Sequence, residues 1–120
     1  MVQKAPKRAA GAAPVWRQYL TALIIVHTIM PMKITFDPAK DATNAAKHGV
    51  SLADATNLDW NTALIWPDGR KDYGEQRMSG LALLGTRVFF VVFTDRGDVR
   101  RIISLRKANA REVRRYVSEN

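Results

Sequence analysis

Apolar and polar positions along this chain fall into short runs of strand period, broken by three stretches of helical period. Lys33 to Phe36 alternates polar and apolar, as a short strand does. Asp37-Pro38 supplies an N-cap followed by proline at the first helical position, and the helix it opens runs to about His48. Gly49 stops that helix just past its C-cap, and Asn44, Lys47 and His48 lie on its last turns. Ser51-Leu52-Ala53-Asp54 has the form of a capping box with Asp in place of Glu. It predicts a second short helix with Leu52, Ala55 and Leu58 on its apolar side. Thr62 to Trp66 is the next strand, ended by Pro67-Asp68-Gly69. Arg77 to Gly85 is another, with Gly80 marking either a bulge or a close approach. Val88 to Thr94 is nearly all apolar and predicts a central strand buried on both faces. Asp95-Arg96-Gly97-Asp98 turns the chain, and Val99 to Leu105 pairs back antiparallel. Asn109-Ala110-Arg111-Glu112 is a second capping box. It opens a last helix with Ala110, Val113 and Val117 along one stripe and Tyr116 at its border. The order is strand, helix, helix, three or four antiparallel strands and a last helix (βααβββα with three), which predicts an α+β domain with its helices packed on the sheet.

Residues 1–31 differ in character. Lys4, Lys7 and Arg8 sit in an Ala/Pro/Gly-rich stretch, followed by an apolar run from Tyr19 to Met30. Basic-then-apolar is the order of a signal sequence, but the run is too short to span a bilayer and no small-x-small cleavage site follows it. The expected organisation is therefore an N-terminal extension over 1–31, upstream of a natural start at Met32, and a single domain over 32–120. A membrane or export segment and a functional arm are the other two readings of the extension.

Charge narrows the partners. The 120 residues carry 19 Lys/Arg against 11 Asp/Glu, a formal net charge of +8. That excess favours a polyanion: RNA, DNA or an acidic protein. It is also concentrated, because between Arg96 and Tyr116 there are eight Lys/Arg against two acids. The absence of cysteine removes disulfides, thiol catalysis and thiolate metal sites, and two histidines are too few for a His-rich metal centre. No cofactor is expected.

Strict alternation in the last strand puts Arg100, Ile102, Ser104 and Arg106 on one face and Arg101, Ile103 and Leu105 on the other. Ile103 and Leu105 then suit the core, while Ser104 and Arg106 face away from it, where Arg77 can join them. Arginine, lysine and tyrosine without histidine can cleave a phosphodiester. RNA brings its own nucleophile, the 2′-hydroxyl; arginine stabilises the added charge on phosphate, and a tuned Tyr, Lys or carboxylate moves protons. Simpler readings stand beside these. Arg111, Arg114 and Arg115 suit a solvated or partner-facing helix surface, Tyr116 suits packing, His48 suits a helix C-terminus, and Glu75 with Arg77 suits a cross-strand ion pair. From residues alone the result is a small basic α+β domain that binds a polyanion.

The stretch from Ile34 to Tyr116 resembles the BrnT family of type II toxin–antitoxin ribonucleases. The resemblance lies in an ordered series: Phe36-Asp37-Pro38-Ala39-Lys40, Asn44, Lys47-His48-Gly49-Val50-Ser51, Asp68, Glu75-x-Arg77, Gly85, Val91-Val92-x-Thr94-x-Arg96-Gly97, Arg101-Ile102-Ile103-Ser104-x-Arg106-x-Ala108, Glu112 and Tyr116. It implies a RelE-like fold and metal-independent RNA cleavage that halts translation in the cytoplasm. It also implies a ribbon-helix-helix antitoxin of the BrnA type, with operator DNA touched only through the complex. Carried over by position, Arg77, Arg106 and Tyr116 lead the expected catalytic set, with Lys47, His48 and Glu75 behind them. Lys71, Ser104, Arg111, Arg114 and Arg115 are expected to hold RNA or the antitoxin. Two departures from the family pattern, Lys71-Asp72 in place of His-Ser and Leu105-Arg106-Lys107 in place of Ala-Arg-Arg, leave an alternative open. In it the chain is a catalytically degenerate toxin that serves as an antitoxin-binding co-repressor.

Overall fold

A computed structural model describes residues 32–69 and 74–120 of the protein. The extension over 1–31, with its apolar run, and Lys71 lie outside the described residues.

Five strands form one sheet in the order β1-β5-β4-β3-β2, made of β1 (Lys33–Phe36), β2 (Leu64–Pro67), β3 (Met78–Leu84), β4 (Arg87–Arg96) and β5 (Val99–Lys107). Helix α1 (Pro38–His48) follows β1, and helix α2 (Ala110–Glu119) follows β5. The strands β2 to β5 form an antiparallel meander, and β1 adds to the outer side of β5 in parallel. The fold is therefore mixed α+β, with four strands where three or four were expected between the helices. The expected second helix is instead a 3₁₀ segment, Leu52–Asn57, followed by a 3₁₀ turn at Trp60–Thr62. Its capping box forms only on one side: the Ser51 hydroxyl accepts from Ala53 N–H, and no reciprocal bond comes from Asp54. Asp41 of α1 adds a different cap, accepting from Ser51 Oγ at 3.0 Å and from Leu52 N–H at 2.7 Å.

The local rules hold at the ends of α1. Asp37 caps it through Ala39 N–H, Pro38 opens it, and Gly49 leaves it at φ 73°, where a side chain would be strained. The box at the start of α2 is complete: Glu112 N–H donates to Asn109, and Asn109 N–H donates to Glu112.

The sheet is buried on both faces. Against one face pack Leu52, Ala55 and Leu58 of the 3₁₀ segment, over Ala82, Phe89, Val91, Phe93, Ile102 and Leu105. Against the other, Tyr116 and Val113 of α2 pack over Leu81, Val88, Phe90 and Val92. Consecutive residues of β4 thus belong to opposite cores, as its apolar run predicts. Gly80 is a close approach and not a bulge, since a Cβ there would lie 3.3 Å from Val91 Cγ1 and 3.4 Å from Ile65 Cγ1.

Asn44 is the one buried side chain of α1. Among the described residues no strand lies beside the outer edge of β5 beyond Phe36, and Asn44 takes that place. Its amide nitrogen donates to Leu105 C=O at 2.8 Å and to Val50 C=O at 2.9 Å, and its oxygen accepts from Leu105 N–H at 3.2 Å. A single side chain thereby satisfies backbone groups that a buried edge would leave orphaned.

A candidate anion-binding groove on the α2 face

The bulge in β5 decides which residues make the site. Phe93 pairs with Ile102 and Val92 with Ser104, so Ile103 is the extra residue between them. Ile102 and Leu105 consequently share the α1-side core, and Ile103 packs on the α2 side. This corrects strict alternation, which placed Ile103 with Leu105 and Ile102 with Arg106. Ser104 and Arg106 do share a face, now with Arg101 and not with Arg100.

The registers order that face into rows. Leu64, Leu81, Phe90 and Arg106 form one row, and Trp66, Ser79, Val92 and Ser104 the next. Beyond them lie Thr94, paired with Arg101, and Arg77, one residue before the Met78–Phe93 pair. Arg77 C=O accepts from Asp68 N–H at 2.8 Å, which extends the ladder to Asp68. Helix α2 covers the first row. Beside it remains a groove of about 270 Å³ lined by Trp66, Pro67, Asp68, Gly69, Ser79, Phe90, Arg106 and Glu112.

Arg106 is held on three sides. Its guanidinium lies 4.3 Å from the centre of the Phe90 ring. Nη1 and Nη2 donate to the two oxygens of Glu112, each at 2.9 Å, and Nη1 also donates to Lys107 C=O at 3.2 Å. The hydrogen bond from Arg106 holds the Glu112 carboxyl below the usual carboxylate range, against the burial that raises it and with help from Asn109 N–H. Phe90 in turn tilts against Trp66 at 6.2 Å, and Arg115 lies 4.1 Å above the Trp66 ring. An aromatic pair bracketed by two arginines therefore joins α2 to the sheet along the groove.

The expected site residues separate into groups. Arg77, Ser104 and Arg106 share the α2 face. The rows put Arg77 and Arg106 about 13 Å apart along the strands and about 10 Å across them. An anion in the groove can therefore meet both only through extended side chains. Glu75 is exposed and pairs with Arg96 at 2.8 Å. The hydrogen bond from Arg96 lowers its pKa, against a smaller effect of burial, and the charges of Arg96, Arg77 and Arg101 lower it further. Its ion-pair partner is thus Arg96, with Arg77 acting only through its field. Tyr116 is buried and its hydroxyl lies 2.9 Å from Thr62 Oγ1. Thr62 donates its one proton to Asp59, so Tyr116 is the donor of that bond. Lys47 and His48 stand on the last turn of α1, at the outer edge of β5, away from the groove. Arg111 and Arg114 are exposed on α2, whereas Arg115 is stacked on Trp66 and paired with Glu119.

The helix stripe also shifts. Val113 and Tyr116 are its packed residues, and Val117 is 66% exposed. Trp66, Asp68, Ser79, Phe90 and Glu112 were not among the expected site residues. Asp68 carried a signal, as the acid of a Pro-Asp-Gly turn opening the longest polar loop. Phe90 and Ser79 carried none, since a strand pattern does not say which neighbours share a row. Among the described residues no group of three or more His, Asp and Glu converges as a metal site, and no helix is long and apolar enough to cross a membrane.

Comparison with known proteins gives a consistent result. The family model described as "Ribonuclease toxin, BrnT, of type II toxin-antitoxin system" matches residues 36–112. The crystal structure of the ribonuclease toxin BrnT from Brucella abortus is similar, at 29% identity and a TM-score of 0.53. That match covers 65% of this chain and 97% of the Brucella chain. No curated protein sequence matches.

Proposed function

The chain belongs to the BrnT family, the ribonuclease toxins of type II toxin–antitoxin systems, and from that premise we propose that it cleaves RNA in the groove beside α2, without a metal ion, and so arrests translation in the cytoplasm. The observation that carries this reading is Arg106, fixed over Phe90 at the rim of a groove whose face also bears Arg77 and Arg101. Attack by the 2′-hydroxyl requires the reacting oxygen in line with phosphorus and added charge stabilised on the phosphate oxygens. Arg106 and Arg77 supply that charge, and the Trp66–Phe90 pair offers aromatic surface for a base. Asp68 and Glu112 are the carboxylates that line the groove, and Glu112 is held by Arg106. Tyr116 holds α2 to the 3₁₀ turn through Thr62. The reading includes a RelE-like lineage, supported by the meander β2–β5 and its C-terminal helix.

The partner in this proposal is an antitoxin of the BrnA type, engaged through Arg111 and Arg114 and contacting operator DNA in the complex. The second reading, a degenerate toxin acting as co-repressor, is favoured by one observation: the Tyr116 hydroxyl is bonded to Thr62, and Tyr116 does not line the groove. One experiment separates them. Full-length protein is incubated with RNA in the presence of EDTA, beside the Arg77→Ala, Arg106→Ala double variant. Cleavage by the wild type and none by the variant is expected. A folded wild type that leaves RNA intact refutes the ribonuclease reading and favours the co-repressor.

A further inference from the structure

An arginine has five N–H donors, arranged as an end fork between its two terminal nitrogens and a side fork between Nε and one of them. The protein uses these forks differently on its two faces. Arg100 places its side fork, Nε and Nη2, on Asp95 at 2.8 Å each, and its guanidinium lies between Trp60 and Phe93. That is a closed structural arrangement. Arg106 places its end fork on Glu112 and its remaining Nη1 proton on Lys107 C=O. Among the described residues Nε–H and the second Nη2–H make no hydrogen bond, and together they form an open side fork on a residue that lines the groove.

Glu112 is itself immobilised. It occupies the third position of α2, where it also accepts from Asn109 N–H at 2.8 Å. The guanidinium is thus clamped between a helix terminus and the Phe90 ring. We propose that Glu112 is the positioning residue of the site: it turns Arg106 so that its side fork receives two oxygens of one phosphate. The inference rests on the ribonuclease reading for its kinetics, but not for the anion site itself.

Charge and orientation pull in opposite directions here, which makes the role testable. A carboxylate beside Arg106 repels an incoming phosphate, so a purely electrostatic neighbour would only weaken binding. A positioning residue can raise turnover all the same. Glu112→Gln is therefore expected to leave KM unchanged or lower while kcat falls about 10-fold to 100-fold, the scale of a small misplacement of a reacting group. Arg106→Ala and the Arg106→Ala, Glu112→Gln double variant should be equally impaired, because Glu112 acts only through Arg106. Asn109→Ala keeps the ion pair and removes one cap bond, so it should lower the melting temperature and spare kcat. Unchanged kcat in Glu112→Gln, or losses that add in the double variant, overturn the role.

A second readout needs no turnover. The Nε–H resonance of Arg106, identified by its loss in Arg106→Ala, should shift when inorganic phosphate is added to the wild type. In Glu112→Gln it should move toward the position of an unconstrained arginine. A resonance that phosphate leaves unmoved, or that Glu112→Gln leaves in place, refutes the proposal even if the protein cleaves no RNA.

Discussion

Asn44→Ala tests how far the site depends on a residue on the far side of β5. The side chain is 5% exposed and makes three hydrogen bonds to main-chain groups, two of them to Leu105, which is fully buried. Truncation removes one donor group and one acceptor and leaves two carbonyls and one N–H without partners. Each buried group left unsatisfied costs about 1–3 kcal/mol. Val50 is only half-buried, so water can reach its carbonyl and the lower part of the range applies there. The total is about 3–7 kcal/mol, against roughly 5–10 kcal/mol for a domain of this size. With a urea m value of about 1–1.5 kcal/mol/M, the unfolding midpoint should fall by about 2 M or more, with m unchanged. Asn44→Asp should do no better, because it replaces the donor by an acceptor facing two carbonyls. Equilibrium urea unfolding followed by tryptophan fluorescence measures all three proteins. A midpoint shift below about 0.5 M in Asn44→Ala would show that water substitutes for the amide and that the clamp on β5, one residue from Arg106, is dispensable.

Three further outcomes follow from the geometry. The Glu112 pKa is lowered on folding, chiefly by Arg106, so its contribution to stability is complete above its unfolded pKa and is lost as pH falls through the lower folded value. Thermal melts of Glu112→Gln should lack that part of the acid-side decline, and a wild-type acid limb kept in full by the variant would contradict the assignment. Gly80→Val should cost about 1–3 kcal/mol, because a Cβ already crowds Val91 and Ile65; a neutral melting temperature would show that β2 moves aside freely. Arg100→Ala removes a two-point ion pair with Asp95 and two aromatic contacts, and should lower stability by about 1–2 kcal/mol without changing RNA cleavage. Lost cleavage in a folded Arg100→Ala protein would place function on the wrong face of the sheet.

The sequence was most informative where one rule acts locally. Asp37-Pro38, Gly49 and the Asn109–Glu112 box each specify a helix end through groups within a few residues, and each is found as expected. The apolar run of β4 likewise announces burial on both faces. The 3₁₀ segment was misread because its second cap comes from Asp41, 10 residues from Ser51. The faces of β5 were misread because a bulge adds a residue without any glycine or proline to mark it. Tyr116 was legible as an aromatic at the border of the apolar stripe of the last helix, but its bond to Thr62 spans 54 residues and nothing in the local pattern shows it. Of the expected site, strand alternation put Ser104 and Arg106 on one face where Arg77 can join them, and the resemblance to a family gave them their expected roles. The pairing register supplied the row that brings Phe90 beside Arg106 and the row that brings Trp66 and Ser79 beside Ser104.

The parallel pairing of β1 with β5 also sets an order of events during synthesis. β1 leaves the ribosome early in the domain, but its hydrogen-bonding neighbour begins at Val99. The meander β2–β4 and helix α1 can form from local contacts, whereas the edge next to β1 must wait for the last strand and pay a long loop closure. Arg106 lies on that last strand, and its clamp Glu112 on the helix after it. The groove therefore cannot be assembled on a partly made chain. A nascent chain of this fold has its scaffold before it has its charge centre, and whatever that centre does to RNA begins only after the last strand and the helix behind it have been made.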